Sequence, residues 1–64
     1  MTDLAGKVRK SRVRLGWSCA ETDRQAGLSA GHTARIEAGK RGPSLATLKK
    51  VANALSVSLA WLLK

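Results

Sequence analysis

Residues 18–39 read SCAETDRQAGLSAGHTARIEAG, and this stretch decides the fold. Its first half opens with Ser18 and Glu21, whose S-x-x-E spacing is that of a capping box and predicts the start of a helix. Its second half opens with Ser29, a residue type that is favoured at helix N-caps. A glycine follows each half at the usual place for a helix end; these are Gly27 and Gly39. The stretch therefore predicts two short helices that are joined by a tight turn.

Helical patterns on both sides of this stretch predict further helices. Apolar residues at helical spacing predict a first helix over residues 4–15; they are Leu4, Val8 and Leu15. After the stretch, Ser44 and Ser58 are the predicted N-caps of a fourth and a fifth helix. The fourth helix has an apolar stripe, formed by Leu45, Leu48, Val51, Ala52 and Leu55. No stretch alternates with the period of a strand, so the predicted fold class is all-α, a single domain over residues 1–64 with five helices.

The charge of the chain indicates a polyanionic partner. Twelve Lys and Arg residues stand against four Asp and Glu, which gives a formal net charge of +8 on 64 residues. Such an excess is typical of proteins that bind nucleic acids. Charge alone does not separate DNA from RNA or from an anionic membrane surface, and a basic surface that serves solubility stays an alternative.

Composition also excludes several classes of protein. Cys19 is the only cysteine, so no intrachain disulfide can form, and a reducing cytoplasm is the expected location. No apolar run approaches the roughly 20 residues that a bilayer span requires. The chain has one histidine, no Gly-rich phosphate loop and no cluster of metal ligands. We therefore predict no enzyme, no cofactor, no metal site and no small-molecule ligand.

Nearly the whole chain, from about residue 4 to residue 63, resembles the lambda-repressor-like Cro/C1-type helix-turn-helix family, which is also called the XRE family. The resemblance rests on four segments in the right order and spacing: LGWS at 15–18, AGLS at 26–29, RIEAGKRGPS at 35–44 and LSVSLAWLL at 55–63. It implies a sequence-specific, repressor-like regulator of transcription that binds double-stranded DNA. Because two-fold pairing is the usual way in which so short a motif gains affinity, a homodimer on a palindromic operator is expected.

In a helix-turn-helix the second helix enters the major groove with its N-terminal residues facing the bases. Here this recognition helix is predicted over residues 29–38, and its exposed early residues are the candidates for base contacts: Ala30, Gly31, His32, Ala34 and Arg35. Arg35 is the strongest candidate, since a guanidinium can bond guanine O6 and N7 together. The alternatives for Arg35 are a phosphate contact or an internal ion pair. His32 either contacts DNA or is a packed or solvated histidine.

Phosphate contacts are predicted at the helix starts, where free N–H groups bind anions, and in the basic loop after the recognition helix. These candidates are Ser18, Cys19, Ser29, Lys40 and Arg41. Cationic residues of the first helix are weaker candidates; they are Lys7, Arg9 and Lys10. The family often has Gln at the position of Cys19, and a thiol cannot replace both groups of that amide.

Two further expectations concern structural contacts. Arg12 lies on the apolar stripe of the first helix, where an unpaired charge is costly, and family members commonly join its position to that of Glu37 by a salt bridge. The chain departs from the family pattern where apolar residues are usual between helices 2 and 3; the residues here are Thr22, Asp23 and Thr33. Our hypothesis is that Asp23 makes a polar link between these helices, with His32, Thr33 or Arg35 as its partner.

Two alternative functions within the same fold stay open. The chain is compatible with an antitoxin-type protein that binds both a partner toxin and its own operator. It is equally compatible with the DNA-binding domain of a longer regulator.

Overall fold

The computed structural model describes residues 3–39 and 42–64. These residues form five α-helices and no strand: α1 (Leu4–Arg14), α2 (Cys19–Ala26), α3 (His32–Ala38), α4 (Leu45–Leu55) and α5 (Leu59–Leu63). Helix α1 packs on α3, α2 packs on both α3 and α4, and α5 closes the bundle against α1 and α4. The predicted all-α architecture, with the helix-turn-helix at α2 and α3, is confirmed.

One hydrophobic core lies between the helices. Its buried members come from four of them: Val8, Ile36, Val51, Ala52, Leu55 and Leu62. Partly buried apolar residues surround this cluster, among them Leu28 from the turn before α3 and Trp61 from α5. The core therefore fixes α3 from its inner side, through Ile36, and leaves its outer side to solvent.

Two residues of the predicted apolar stripes are exposed and do not pack into the core. Leu45 is 54% exposed and Leu15 is 40% exposed. Leu45 is the first residue of α4, and Leu15 is the C-cap of α1. Both stand at the ends of their helices, beyond the area that so small a core covers.

Serine hydroxyls cap three helices as predicted. Each accepts a hydrogen bond from the backbone N–H three residues on: Ser18 from Glu21 at 3.0 Å, Ser44 from Thr47 at 3.1 Å and Ser58 from Trp61 at 3.0 Å. The capping box at Ser18 is only half formed. The carboxylate of Glu21 accepts from the side chains of Arg24 and Gln25, which lie one turn further along α2.

The predicted N-cap at Ser29 is wrong. Helix α3 begins at His32, and its N-cap is Gly31, which has a φ of 96° and no side chain to offer. The Ser29 carbonyl oxygen instead accepts from the His32 N–H at 3.4 Å. The turn between α2 and α3 is therefore longer than the sequence pattern indicated.

Candidate nucleic-acid interface

Asp23 connects the two helices of the helix-turn-helix. It is only 4% exposed, and its carboxylate accepts three hydrogen bonds from the start of α3. Oδ1 lies 2.8 Å from the Thr33 backbone nitrogen and 2.6 Å from the Thr33 hydroxyl, and Oδ2 lies 3.0 Å from the Gly31 nitrogen. The hypothesised polar link is present, and its donors are Thr33 and the Gly31 backbone rather than the side chains of His32 or Arg35.

These hydrogen bonds also set the charge state of Asp23. Burial alone would raise the pKa of this carboxyl group, but the bonds from the Thr33 hydroxyl and from two backbone N–H groups outweigh burial. The pKa of Asp23 therefore lies below its usual value, and the group is a carboxylate at neutral pH.

Threonines occupy the positions between α2 and α3 where the family resemblance predicts aliphatic residues. Thr22 and Thr33 are both fully buried. The Thr22 hydroxyl donates to the Ser18 carbonyl oxygen at 3.0 Å, and the Thr33 hydroxyl donates to Asp23. Among the described residues, no buried side-chain nitrogen or oxygen lacks a hydrogen-bond partner. The polar seam between the helices is thus fully satisfied, which is what makes it tolerable.

The candidates for base contacts lie together on the turn and on the outer surface of α3. Ala30, Ala34 and Arg35 are exposed, and Gly31 and His32 are half-buried. The guanidinium of Arg35 folds back over Gly31: its Nη2 lies 3.9 Å from the place that a Cβ on Gly31 would take. Arg35 also borders a cavity of about 110 Å³, which His32, Ile36, Gly42 and Pro43 line with it.

Arg35 has no internal charge partner. No ion pair or hydrogen bond holds its guanidinium within residues 3–39 and 42–64. The His32 ring, in contrast, is tied back to the turn, since its Nδ1 lies 3.1 Å from the Ser29 carbonyl oxygen. A carbonyl can only accept, so Nδ1 carries a hydrogen in this contact, and Nε2 is the ring nitrogen left to meet a partner.

The predicted phosphate contacts have different surroundings. Ser18 and Ser29 are exposed, while Cys19 is half-buried with its Sγ 3.8 Å from Oε2 of Glu37. Burial and the nearby Glu37 carboxylate raise the pKa of the Cys19 thiol, so it stays protonated at neutral pH. Lys40 and Arg41 lie outside the described residues.

The expected pair of Arg12 and Glu37 is present. Arg12 Nε lies 2.6 Å from Oε2 of Glu37, and Nη2 lies 2.9 Å from Oε1. The hydrogen bond to Glu37 raises the pKa of Arg12 further above neutrality. Since Cys19 contacts the same carboxylate, the start of α2, the middle of α1 and the end of α3 meet at this point.

Lys7 has a structural role that the sequence did not indicate. Its Nζ lies 2.8 Å from the Trp61 carbonyl oxygen and 3.1 Å from that of Lys64, and 5.4 Å from the centre of the Trp61 ring. The ammonium group therefore caps the end of α5, and this engagement within the fold weighs against a phosphate contact. The contact joins residues 54 positions apart, so no local pattern could have revealed it.

Every carboxylate of the chain has a partner. Asp3 accepts from the Gly6 N–H, Glu21 from Arg24 and Gln25, Asp23 from Gly31 and Thr33, and Glu37 from Arg12. Several exposed cations, in contrast, have no partner within the described part of the chain; they are Arg9, Lys10, Arg14, Arg35, Lys49 and Lys50. The outer electrostatic field is therefore positive, as binding to a polyanion requires.

Other kinds of site find no support in the described residues. No group of three or more His, Cys, Asp or Glu side chains is placed to hold a metal ion. No helix there combines the length and the apolar character that crossing a membrane requires.

Comparison with known proteins agrees with this geometry. The model of the helix-turn-helix family HTH_3 matches residues 8–62. A comparison with curated protein sequences gives no match.

Two solved structures are similar over 95% of the chain. The hypothetical transcription factor NHTF from Neisseria has 36% sequence identity and a TM-score of 0.89, and 70% of its chain is covered. The N-terminal DNA-binding domain of SinR from Bacillus subtilis has 29% identity and a TM-score of 0.89, and 90% of its chain is covered. With the family match over residues 8–62, the chain belongs to the helix-turn-helix family HTH_3, the Cro/C1-type DNA-binding regulators of transcription.

Proposed function

We propose that the protein is a sequence-specific, repressor-like regulator that places α3 in the major groove of double-stranded DNA. The observation that carries this proposal is the exposed Arg35 guanidinium, which lies over Gly31 on the outer surface of α3 and has no charge partner among residues 3–39 and 42–64. A free guanidinium at this place is suited to bond guanine O6 and N7. The neighbouring His32 has its Nδ1 engaged by the Ser29 carbonyl oxygen, so Nε2 is the ring nitrogen that is left to contact a base edge.

The rest of the proposed contact surface is small. Ala30 and Ala34 cannot hydrogen-bond through their side chains, but they allow a close approach of α3 and contact with a thymine methyl group. Part of the specificity is therefore expected from the shape and deformability of the DNA. Phosphate contacts are proposed at the start of α2, in the turn before α3 and in the basic stretch of sequence that follows α3, at Ser18, Cys19, Ser29, Lys40 and Arg41.

Two copies of the chain are proposed to bind a palindromic operator, one α3 in each half-site. So small a contact surface needs a second copy to reach specific affinity. The protein has to share a compartment with the DNA on which it acts, and the location we propose is the cytoplasm.

The test is the selection of bound duplexes from a random pool at two salt concentrations. Enrichment of a palindrome is expected, with half-sites about 10 base pairs apart or a multiple of this. Enrichment of no sequence, together with a steep salt dependence, would contradict the proposal and leave a non-specific binder. Equal binding of RNA or of anionic vesicles in competition would contradict it as well.

Arg35 variants separate a base contact from a phosphate contact. Arg35→Lys keeps the charge but loses the two-pronged geometry, so a base contact predicts relaxed specificity at one operator position and a loss of about 1–3 kcal/mol. A phosphate contact predicts a uniform, small change. Lys49→Ala is the matched control, because Lys49 is an exposed cation on α4 that is expected to be solvated only. Removal of Lys40 or Arg41 should lower the salt slope by about one each.

A further inference from the structure

Helix α3 begins without a cap of its own. The first N–H groups of a helix have no intrahelical acceptor and are usually satisfied by the side chain of the N-cap residue. Gly31 holds that position here and makes no side-chain cap hydrogen bond. In the three helices that begin after Ser18, Ser44 and Ser58, by comparison, the serine itself provides the acceptor.

The acceptor for α3 comes from α2. Asp23 uses both carboxylate oxygens, one for the Gly31 N–H at 3.0 Å and the other for the Thr33 N–H at 2.8 Å and the Thr33 hydroxyl at 2.6 Å. It is 4% exposed, so water competes little for these donors. A charged acceptor with two or three donors makes the stronger kind of hydrogen bond.

Asp23 also holds the other end of the turn. Its backbone carbonyl oxygen accepts the Leu28 N–H at 2.8 Å, at the place where the chain leaves α2. One residue thus binds the chain where the turn begins, at Leu28, and where it ends, at Gly31 and Thr33. The neighbouring Thr22 is fully buried, and its hydroxyl donates to the Ser18 carbonyl oxygen within the same turn of α2.

We propose that Asp23 is a positioning residue for DNA recognition, which sets where α3 begins and how it is oriented relative to α2. This inference rests on the proposed function of α3 in the major groove. Because α2 meets the phosphate backbone and α3 meets the bases, both sets of contacts form together only when the two helices keep their relative geometry. Functional groups must be held within about 0.5 Å and 10–20° of the productive arrangement. Asp23 touches no DNA itself and acts through the placement of Arg35 and His32.

Two variants of the same network test the proposal. Asp23→Asn is isosteric, but its amide offers one acceptor oxygen where the carboxylate offers two. The amide NH2 group then meets a donor of α3 at one of the two contacts, and that hydrogen bond is lost. Thr33→Val is the matched control, since it removes the hydroxyl bond and leaves both backbone bonds to Asp23. Both variants are measured well below their melting temperatures, with the best selected duplex and with a random-sequence duplex.

The expected result is a difference in specificity. The dissociation constant for the random duplex divided by that for the selected duplex measures specificity. This ratio should fall about tenfold or more for Asp23→Asn, with little change in binding to the random duplex. For Thr33→Val the ratio should change by no more than about twofold. Equal ratios for the wild type and Asp23→Asn, or an equal loss in both variants, would overturn the proposal and leave Asp23 with a role in stability alone.

A third variant guards against failure to fold. The double change Asp23→Ala with Thr33→Val replaces the polar pair by an apolar pair of the kind that the family resemblance predicts, so the variant is expected to fold while the hydrogen bonds that set the start of α3 are removed. It should bind random DNA as the wild type does and lose the same part of the specificity. Full specificity in this folded variant would overturn the proposal. A wild-type protein without sequence preference would instead contradict the proposed function.

Discussion

The guanidinium of Arg12 in α1 meets the carboxylate of Glu37 in α3 through two parallel hydrogen bonds, of 2.6 Å and 2.9 Å. A third bond, of 2.9 Å, runs from Nη1 to the Trp17 carbonyl oxygen. The two side chains are only 15% and 13% exposed. Arg12 therefore joins α1, the turn before α2 and the end of α3, and it fixes α3 at the end opposite to Asp23.

Removal of one partner of this pair should be strongly destabilising. We expect Glu37→Ala to lower the free energy of unfolding by about 3 kcal/mol, because it leaves a largely buried guanidinium without its counter-ion. Chemical denaturation followed by circular dichroism measures the change. The double change of Arg12→Met with Glu37→Leu should lose less than the sum of the single changes Arg12→Met and Glu37→Leu. If Glu37→Ala is as stable as the wild type, water solvates the Arg12 guanidinium well enough to take the place of the Glu37 carboxylate.

Asp23 should make stability depend on pH in the acid range. Because its pKa in the folded protein lies below the unfolded value of about 3.9, the carboxylate stabilises the fold above that value. This contribution is lost as the pH falls through the lowered pKa of the folded state. The melting temperature should therefore be nearly constant between about pH 5 and 7 and drop below about pH 4.

The control for this pH dependence is a second acidic residue of α2. Hydrogen bonds from Gln25 and Arg24 also lower the pKa of Glu21, but this side chain lies at the surface, where water weakens the effect. Asp23→Asn should thus flatten the acid limb of the curve, and Glu21→Gln should leave it steep. An unchanged acid limb in Asp23→Asn would contradict the assignment.

Ser56, the residue after α4, is in a backbone conformation that favours glycine. Its φ is 58°, and it is the one non-glycine with a positive φ among the described residues. Ser56→Gly should raise the free energy of unfolding by about 1 kcal/mol, since a left-handed conformation strains any residue with a Cβ. Gly27→Ala is the mirror control: its φ is 70°, an added Cβ meets no atom within 4 Å, and it should destabilise by a similar amount. Thermal unfolding measures both changes, and a Ser56→Gly variant that is no more stable than the wild type would contradict the prediction.

Lys7 should matter for stability and not for DNA binding. Lys7→Met removes the ammonium that bonds the Trp61 carbonyl oxygen at 2.8 Å and should cost about 1 kcal/mol. The slope of DNA affinity against salt should stay that of the wild type, because this charge is already engaged within the protein. Lys10→Met, at an exposed position of the same helix, should leave stability unchanged. A lower salt slope in Lys7→Met would place its ammonium on DNA.

The sequence could predict those features whose partners are close along the chain. Ser18, Ser44 and Ser58 each cap an N–H three residues away, so a local pattern is sufficient. The start of α3 could not be predicted in this way. Its acceptor, Asp23, precedes Gly31 by 8 residues and Thr33 by 10, and Ser29 offers a plausible but unused local alternative.

The features of the candidate site also differ in how far they could be predicted from the sequence. The family resemblance placed Arg35 and its neighbours on an outer surface. The pairing of Arg12 with Glu37 was predicted from a charge on an apolar stripe together with the family resemblance. The partner of Lys7 lies 54 residues away and depends on how α5 packs on α1. Contacts of Lys40, Arg41 and the other proposed DNA ligands stay predictions, because they depend on a partner molecule.

The engagement of all four acidic side chains bears on how the protein moves on DNA. Asp3, Glu21, Asp23 and Glu37 are each held by a donor within the fold, while the chain carries a formal net charge of +8. A duplex of any sequence is therefore attracted with little local repulsion, which favours sliding along the DNA over repeated dissociation. We expect single molecules to travel along non-specific DNA with residence times that shorten steeply as salt is raised. Immobile binding, or residence that is insensitive to salt, would show that search proceeds by collision from solution instead.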